Sequence, residues 1–227
     1  MQGETIHFND GENEVRAYLS PSKTGSGPGI IVVQEWWGLV PHIMDIADRF
    51  AEAGFTALAP DLYGGESTED PDDAATLMQA LGIADTELIL RKAIETLLAH
   101  PATVPNDNVG IVGFCMGGQL ALFAEGNNPQ VKATVCFYGI HPKVLPSYRD
   151  LNGPVLGIFA ENDHMASPDA VSALDRELTL LEKEHTFITY PGVDHAFFND
   201  TRPEVYNAEA AADAWAKTIE FFNANLR

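Results

Sequence analysis

Four side chains in this sequence stand where covalent chemistry could be done: Cys115, Asp163, His195 and Glu35. Cys115 is the middle of the stretch Gly113-Phe-Cys-Met-Gly-Gly118, with the apolar run VGIV before it and QLALFA after it. Glycines flank the thiol because a strand turning this sharply into a helix leaves no room for side chains. The middle residue then projects from the turn at a helix N-terminus, where the dipole and free N–H groups favour a thiolate and an oxyanion. A small buried cysteine in a glycine-rich turn is the plain alternative. Asp163 ends the run PVLGIFAEND, and His195 follows HTFITYPG and Val193-Asp194. Nucleophile, acid, histidine is a working order for acyl transfer: the imidazole takes the thiol proton and the carboxylate orients the imidazole. Taken singly, Asp163 is a helix cap and His195 a surface histidine. Taken together, each just past a strand, the three resist that account. Asp194 is the competing carboxylate; Asp163 is preferred because it ends a separate strand and can face the imidazole.

Glu35 lies in Gln34-Glu35-Trp36-Trp37-Gly38, directly after the strand GIIVV. A carboxyl group between a buried strand and two tryptophans is expected to have a raised pKa and to accept a proton near neutrality. A glutamate that merely hydrogen-bonds its own loop is the alternative. The other histidines, His7, His42, His100, His141, His164 and His185, show no metal-ligand spacing, so no metal is expected.

The elements that must position these groups are legible as alternation. Residues 1–20 carry two short alternating runs around Asn-Asp-Gly, the signature of a hairpin. PGIIVVQE, FTALAPDLYG, NVGIVGF, VKATVCFYG, PVLGIFAEND and HTFITYPG read as strands. Helices fall between them, with Ile43, Ile46, Ala47 and Phe50, then Leu90, Ile94 and Leu97, then Val171, Leu174, Leu178 and Leu181, then Trp215, Ile219, Phe222 and Leu226 facing inward. The stretch GGESTEDPDDAATLMQALG is polar, with a short helix at best, and residues 63–84 are the candidate lid or pocket wall. The pattern predicts an α/β fold: a mainly parallel sheet with helices on both faces and an antiparallel N-terminal hairpin, in a single domain over residues 1–227. Ligands of such sheets bind beyond the carboxyl ends of the strands, which is where the four side chains fall.

Composition narrows the partners. The chain has 227 residues, 33 acidic and 13 basic side chains, and a formal net charge of −20, which disfavours nucleic acid and anionic membranes. No apolar run approaches the roughly 20 residues of a membrane span, and the N-terminus lacks the basic start and apolar stretch of a secretory signal. Two cysteines, Cys115 and Cys136, make no disulfide framework, so a reduced, cytoplasmic protein is expected, monomeric or a small homo-oligomer. Cys136, in mid-strand, reads as an inert buried thiol.

QEWWGL, APDLYGG, GFCMGG, the Asp of ENDH and DHAFFN together resemble the dienelactone hydrolase family of α/β hydrolases, the carboxymethylenebutenolidases, over essentially the whole chain. The resemblance implies an α/β-hydrolase fold with no large cap domain, and a Cys115-His195-Asp163 triad acting without a cofactor on a small-molecule ester or lactone. Glu35 would interact with the resting thiol and help deprotonate it when substrate binds. The N–H groups of Met116 and Trp36 would form the oxyanion hole. Trp37, Tyr63, Tyr138, Phe197 and Asn199 would line the substrate pocket, with core packing equally open for Tyr138. Dienelactone-specific members hold the substrate carboxylate with two arginines, one of them four residues after the histidine. Here that position is Asn199, and residues 63–90 contain no Arg or Lys. A neutral ester or another lactone is therefore the alternative substrate, with Arg202 the nearest substitute cation. Two rivals lie in other classes. A nucleotide-binding protein would need G-x-G-x-x-G or G-x-x-x-x-G-K-[ST], and neither occurs. A non-catalytic binding relative typically lacks a triad member, and this chain keeps all three.

Overall fold

Asn9 and Asp10 fold the first hairpin by offering side-chain oxygens to the N–H groups of Gly11, Glu12 and Asn13, with Gly11 at φ 120°. This joins β1 (Glu4–Asn9) to β2 (Glu14–Ser20), antiparallel in the register Glu4 with Leu19 through Asn9 with Glu14. The computed structural model describes residues 3–141 and 144–227; Met1 and Gln2, at the start of the hairpin reading, lie outside them. The continuous apolar runs become β3 (Gly29–Val33), β4 (Thr56–Pro60) and β5 (Val109–Phe114), each buried along its whole length. β6 (Val131–Phe137), β7 (Val155–Ala160) and β8 (His185–Tyr190) follow, and the last is only half-buried, as an edge strand is. Among the described residues the sheet has eight strands in the order β1-β2-β4-β3-β5-β6-β7-β8. β2 pairs antiparallel with β4; the pairs β3–β4, β6–β7 and β7–β8 are parallel.

By its contacts the chain divides into two compact units, Met1–Ile111 and Val112–Arg227, and the dividing point falls inside β5 and not in a linker. In the first, α1 (Pro41–Glu52) opens with proline at its first turn and turns Ile43, Ile46, Ala47 and Phe50 onto β4. Gly54 ends it at φ 89°. α3 (Ile83–Ala99) packs Leu90, Ala93, Ile94 and Leu97 against β3 and β4. Between them α2 (Pro71–Ala80) is a full ten-residue helix where the sequence suggests a short one at best. The missed signal is Asp70-Pro71: the carboxylate accepts from the N–H groups of Asp72 and Asp73, and proline fills the first helical position. Ala74 is its one fully buried side chain.

In the second unit, α4 (Met116–Asn127) is buried nearly all round and packs on β6. α5 (Pro168–Leu180) is capped by Ser167 and α6 (Ala208–Leu226) by Asn207. α6 buries Phe222 and Leu226 as expected, but the rest of its inward stripe is Ala210, Ala211, Ala214 and Thr218, while Trp215 and Ile219 are half-buried. Small residues let the helix approach β6 and β7 closely, and the bulky Trp215 is displaced to the flank, where it lies 6.3 Å from Phe198.

Candidate active site

The turn around Cys115 is set by steric crowding. β5 ends at Phe114, α4 begins at Met116, and Cys115 between them is held at φ 54°, ψ −120°, a region a non-glycine residue enters only when its surroundings force it. A Cβ on Gly113 would overlap the Gly117 carbonyl. Gly118 adds a second close approach: its Cβ would lie 2.9 Å from the Cα of Gly139, and one on Gly139 would lie 2.5 Å from the Cα of Gly118. The first turn of α4 and the exit from β6 thus cross backbone to backbone. The N–H of Cys115 donates to the Phe137 carbonyl at 3.0 Å, tying the thiol's backbone to that exit.

The loops after β7 and β8 are joined by their own main chains. Glu161 donates to Tyr190 and Asn162 to Val193, both at 3.0 Å, while the Glu161 carboxylate accepts from Gly192 at 2.8 Å. This joining brings Asp163 and His195 together. Oδ1 of Asp163 accepts from the N–H groups of Met165 (2.7 Å) and Ala166 (3.0 Å), and Oδ2 accepts from His195 Nδ1 at 2.6 Å. Asp194 points into solvent, so the geometry selects Asp163 as the histidine's partner. Asp163 is 2 % exposed. Burial would raise its pKa, but the bond and charge of His195 and the two backbone donors outweigh burial and hold it below the ordinary 3.8.

Burial likewise pulls His195 toward neutrality, but the hydrogen bond and charge of Asp163 and the nearby sulfur of Cys115 overcome it and push the imidazole up to about 10. The contact with Cys115 is looser than that with Asp163. Among the described residues Nε2 is sealed from solvent without a partner at hydrogen-bonding distance, while the sulfur is near enough to favour the imidazolium. A base that is oriented at one nitrogen and open at the other, beside a thiol, is arranged to exchange a proton with it.

Of the other residues expected at the site, Met116, Tyr138, Phe197 and Asn199 also belong to the second unit. Met116 opens α4 and its side chain is buried. Tyr138 lies 4.9 Å from the His195 ring, centroid to centroid, and Phe197 packs behind it at 5.8 Å. Asn199 is buried with Oδ1 accepting from the N–H (3.1 Å) and hydroxyl (2.6 Å) of Thr201, so it shapes the turn after the histidine. His164 is exposed. Cys136 is buried, donates to the Gly139 carbonyl at 3.2 Å, and has its thiol pushed up to about 12 by burial, as an inert thiol would.

Glu35, Trp36, Trp37 and Tyr63 belong to the first unit. Glu35 is 1 % exposed, and the Trp36 and Trp37 rings meet edge to face at 4.8 Å. Tyr63 is half-buried in a loop built on Asp61. Asp61 Oδ1 accepts from the N–H of Tyr63 at 3.0 Å, and Oδ2 accepts from Gly65 (2.9 Å) and from Arg16 through Nε (2.9 Å) and a terminal nitrogen (2.7 Å). Gln34 Oε1 accepts from the N–H of Leu62 at 3.1 Å, and Thr68 donates to the Trp37 carbonyl at 3.1 Å. Sequence reasoning missed Asp61, Arg16 and Gln34. The available signal was an aspartate just past a buried strand, before Gly64-Gly65. Among the described residues no group of three or more His, Cys, Asp or Glu is placed to hold a metal ion, and no helix is long and apolar enough to cross a membrane.

Known proteins match along almost the full length. Protein usf of Aquifex pyrophilus is 35 % identical over 231 residues, covering 99 % of both chains. A protein of Aquifex aeolicus that is provisionally named a carboxymethylenebutenolidase is 32 % identical over 232 residues, covering 99 % of this chain and 100 % of its own. A crystal structure from Klebsiella pneumoniae, of a provisionally assigned dienelactone hydrolase, superposes with a TM-score of 0.88 at 29 % identity over 97 % of this chain and 98 % of the other. The sheet order and hairpin described above are those of the α/β-hydrolase fold that such proteins share. The model of the dienelactone hydrolase family matches residues 15–226, and the chain belongs to that family.

Proposed function

We propose that this family member hydrolyses small esters or lactones with Cys115 as nucleophile, His195 as base and then acid, and Asp163 as the group that orients His195. The observation that carries the reading is the 2.6 Å Asp163–His195 bond, with Nε2 unbonded among the described residues near a thiol held at φ 54°. Nε2 takes the Cys115 proton. The sulfur attacks the carbonyl carbon, and the carbonyl π pair moves to oxygen, where the N–H of Met116 at the start of α4 can stabilise it. Collapse expels the alkoxide or enolate, which takes the proton from Nε2, and leaves an acyl-thioester. Water then gives a proton to Nε2 and adds to the thioester, the thiolate departs and recovers the proton, and the acid is released. The second oxyanion donor, the Trp36 N–H, and the part of Glu35 in deprotonating the thiol rest on the family resemblance of QEWWGL.

The residues present favour a substrate without a carboxylate. Asn199 stands where dienelactone-specific members have arginine and is occupied with Thr201. Arg202 pairs with Glu204 at 2.8 Å, and no Lys or Arg occurs in residues 63–90 of a chain whose net charge is −20. The test is kcat/KM of wild type and Cys115→Ala on a neutral aryl ester and on a carboxylated dienelactone, side by side. Wild type is expected to prefer the neutral ester, and Cys115→Ala to lose at least about 10³-fold on both. Retained hydrolysis by Cys115→Ala removes the nucleophile assignment; a preference for dienelactone removes only the substrate assignment.

A further inference from the structure

An imidazole anchored at Nδ1 alone can still swing about that bond and carry Nε2 away from the thiol. Asp163 supplies the anchor, and among the described residues Nε2 has no hydrogen bond to supply a second. The remaining constraint must come from packing, and the ring packed on His195 is Tyr138, at 4.9 Å with the planes inclined by 59°. Tyr138 is itself fixed with unusual firmness. Its backbone sits at φ 41°, a conformation L residues rarely adopt. Its N–H donates to the Ile158 carbonyl at 2.7 Å. Phe137 before it accepts from the Cys115 N–H, and Gly139 after it crosses Gly118 at van der Waals contact. Phe137 and Phe197 back the ring at 5.9 and 5.8 Å. One short segment, residues 137–139, thus holds the thiol's backbone and carries the ring that packs on the base.

We propose that Tyr138 is a positioning residue whose ring face sets the plane of the His195 imidazole, so that Nε2 is presented to Cys115. At 1 % exposure Tyr138 offers a substrate almost no surface, which separates this role from that of a pocket wall. The inference rests on the reading of Cys115 and His195 as nucleophile and base.

Its test compares Tyr138→Phe, which keeps the ring, with Tyr138→Leu and Tyr138→Met, which fill the space without a flat face. The readouts are kcat and KM on the neutral aryl ester and the low-field proton resonance of His195 Nδ1–H. The phenylalanine variant is expected to keep kcat within a few-fold and to keep the resonance. In the leucine and methionine variants kcat is expected to fall about 10²-fold with KM little changed, as for a displaced catalytic group, and the resonance to broaden or vanish. A rise in KM with kcat spared would make Tyr138 a pocket wall and overturn the inference. Equal losses in all three variants would put the work on the hydroxyl and overturn it as well. If only the phenylalanine variant folds, the resonance alone decides: its loss there overturns the role of the ring, and its retention supports it. Because the resonance does not depend on the thiol, activity surviving in Cys115→Ala would remove the nucleophile reading and leave this readout standing.

Discussion

Residues 161–166 and 190–199 are bound to each other by main-chain hydrogen bonds, whereas residues 61–68, tied by their main chain at Asp61, Ser67 and Thr68, are shaped between those points by two side chains, Asp61 and Gln34. Both are polar excursions beyond the carboxyl ends of strands. In the first region the backbone is over-determined: Ala196 sits at φ 64° and Cys115 and Tyr138 are likewise in the left-handed region, so among the described residues three of the four non-glycine positions with positive φ surround the histidine. In the second the shape depends on buried charge, a carboxylate spread over an arginine and two N–H groups. The difference teaches where substitutions should register. If the proposed function holds, side-chain changes at Cys115, Asp163 and His195 should alter chemistry and leave shape, while changes at Asp61 should alter shape and leave chemistry.

The largest expected effect tests whether the turn at Cys115 is set by crowding. Gly113→Ala places a methyl on the Gly117 carbonyl and should destabilise the protein by about 3 kcal/mol or more, in the range where folded protein is lost. Gly64→Ala is the matched contrast. Gly64 has φ 63° but nothing within 4 Å of its Cβ position, so only backbone strain of about 1 kcal/mol is expected. Urea midpoints of the two variants decide the matter, and equal midpoints would show that the contact at Gly113 relaxes freely.

Next in size is Asp163→Asn, which should lower kcat about 10³-fold while leaving KM nearly unchanged, because the amide supports the wrong imidazole tautomer. The same variant carries a pH signature. The lowered pKa of Asp163 stabilises the fold above 3.8 and is lost as pH falls through its folded value. The raised pKa of His195 stabilises fully below 6.5 and is lost as pH rises through about 10. Both contributions belong to one coupled pair, and both are present between 3.8 and 6.5. The gap in urea midpoint between wild type and variant should therefore be wide at about pH 5.5 and narrow at about pH 9.5. A gap that widened toward alkaline pH would mean that the pair is not held as charged groups.

These two regions also differ in how far the sequence reveals them. The central strands were legible because they are continuous apolar runs, and the order Cys115, Asp163, His195 was legible because each residue follows a stretch that reads as a strand. The choice of Asp163 over Asp194 could be argued from strand ends alone. What periodicity does not carry is close approach. The crossing of Gly118 and Gly139 needs two segments distant in sequence, and the inward face of α6 is chosen by small residues that a hydrophobic count ranks below Trp215 and Ile219. α2 was underrated because its signal is a cap and a proline and not an apolar face. Asp61 went unread for a similar reason: a buried carboxylate is recognised by its partners, and Arg16 lies on β2, far away in sequence.

The smallest effect expected is at Asp61, and it tests the other half of the comparison. Asp61→Asn keeps an oxygen for the Tyr63 N–H but sets an NH₂ group against Gly65 and Arg16, which were bonded to the carboxylate. A cost of about 1–2 kcal/mol in stability is expected from the donors left facing a donor. Tyr63 and the segment behind it should loosen, raising KM a few-fold on the neutral aryl ester while kcat holds. Arg16→Met, which removes the partner and keeps the carboxylate for the two N–H groups, should move KM in the same direction by less, because Arg16 is partly exposed and its charge is screened. A fall in kcat with KM unchanged in Asp61→Asn would mean that this loop takes part in the chemical step, and the division between a region that sets chemistry and a region that sets shape would have to be abandoned.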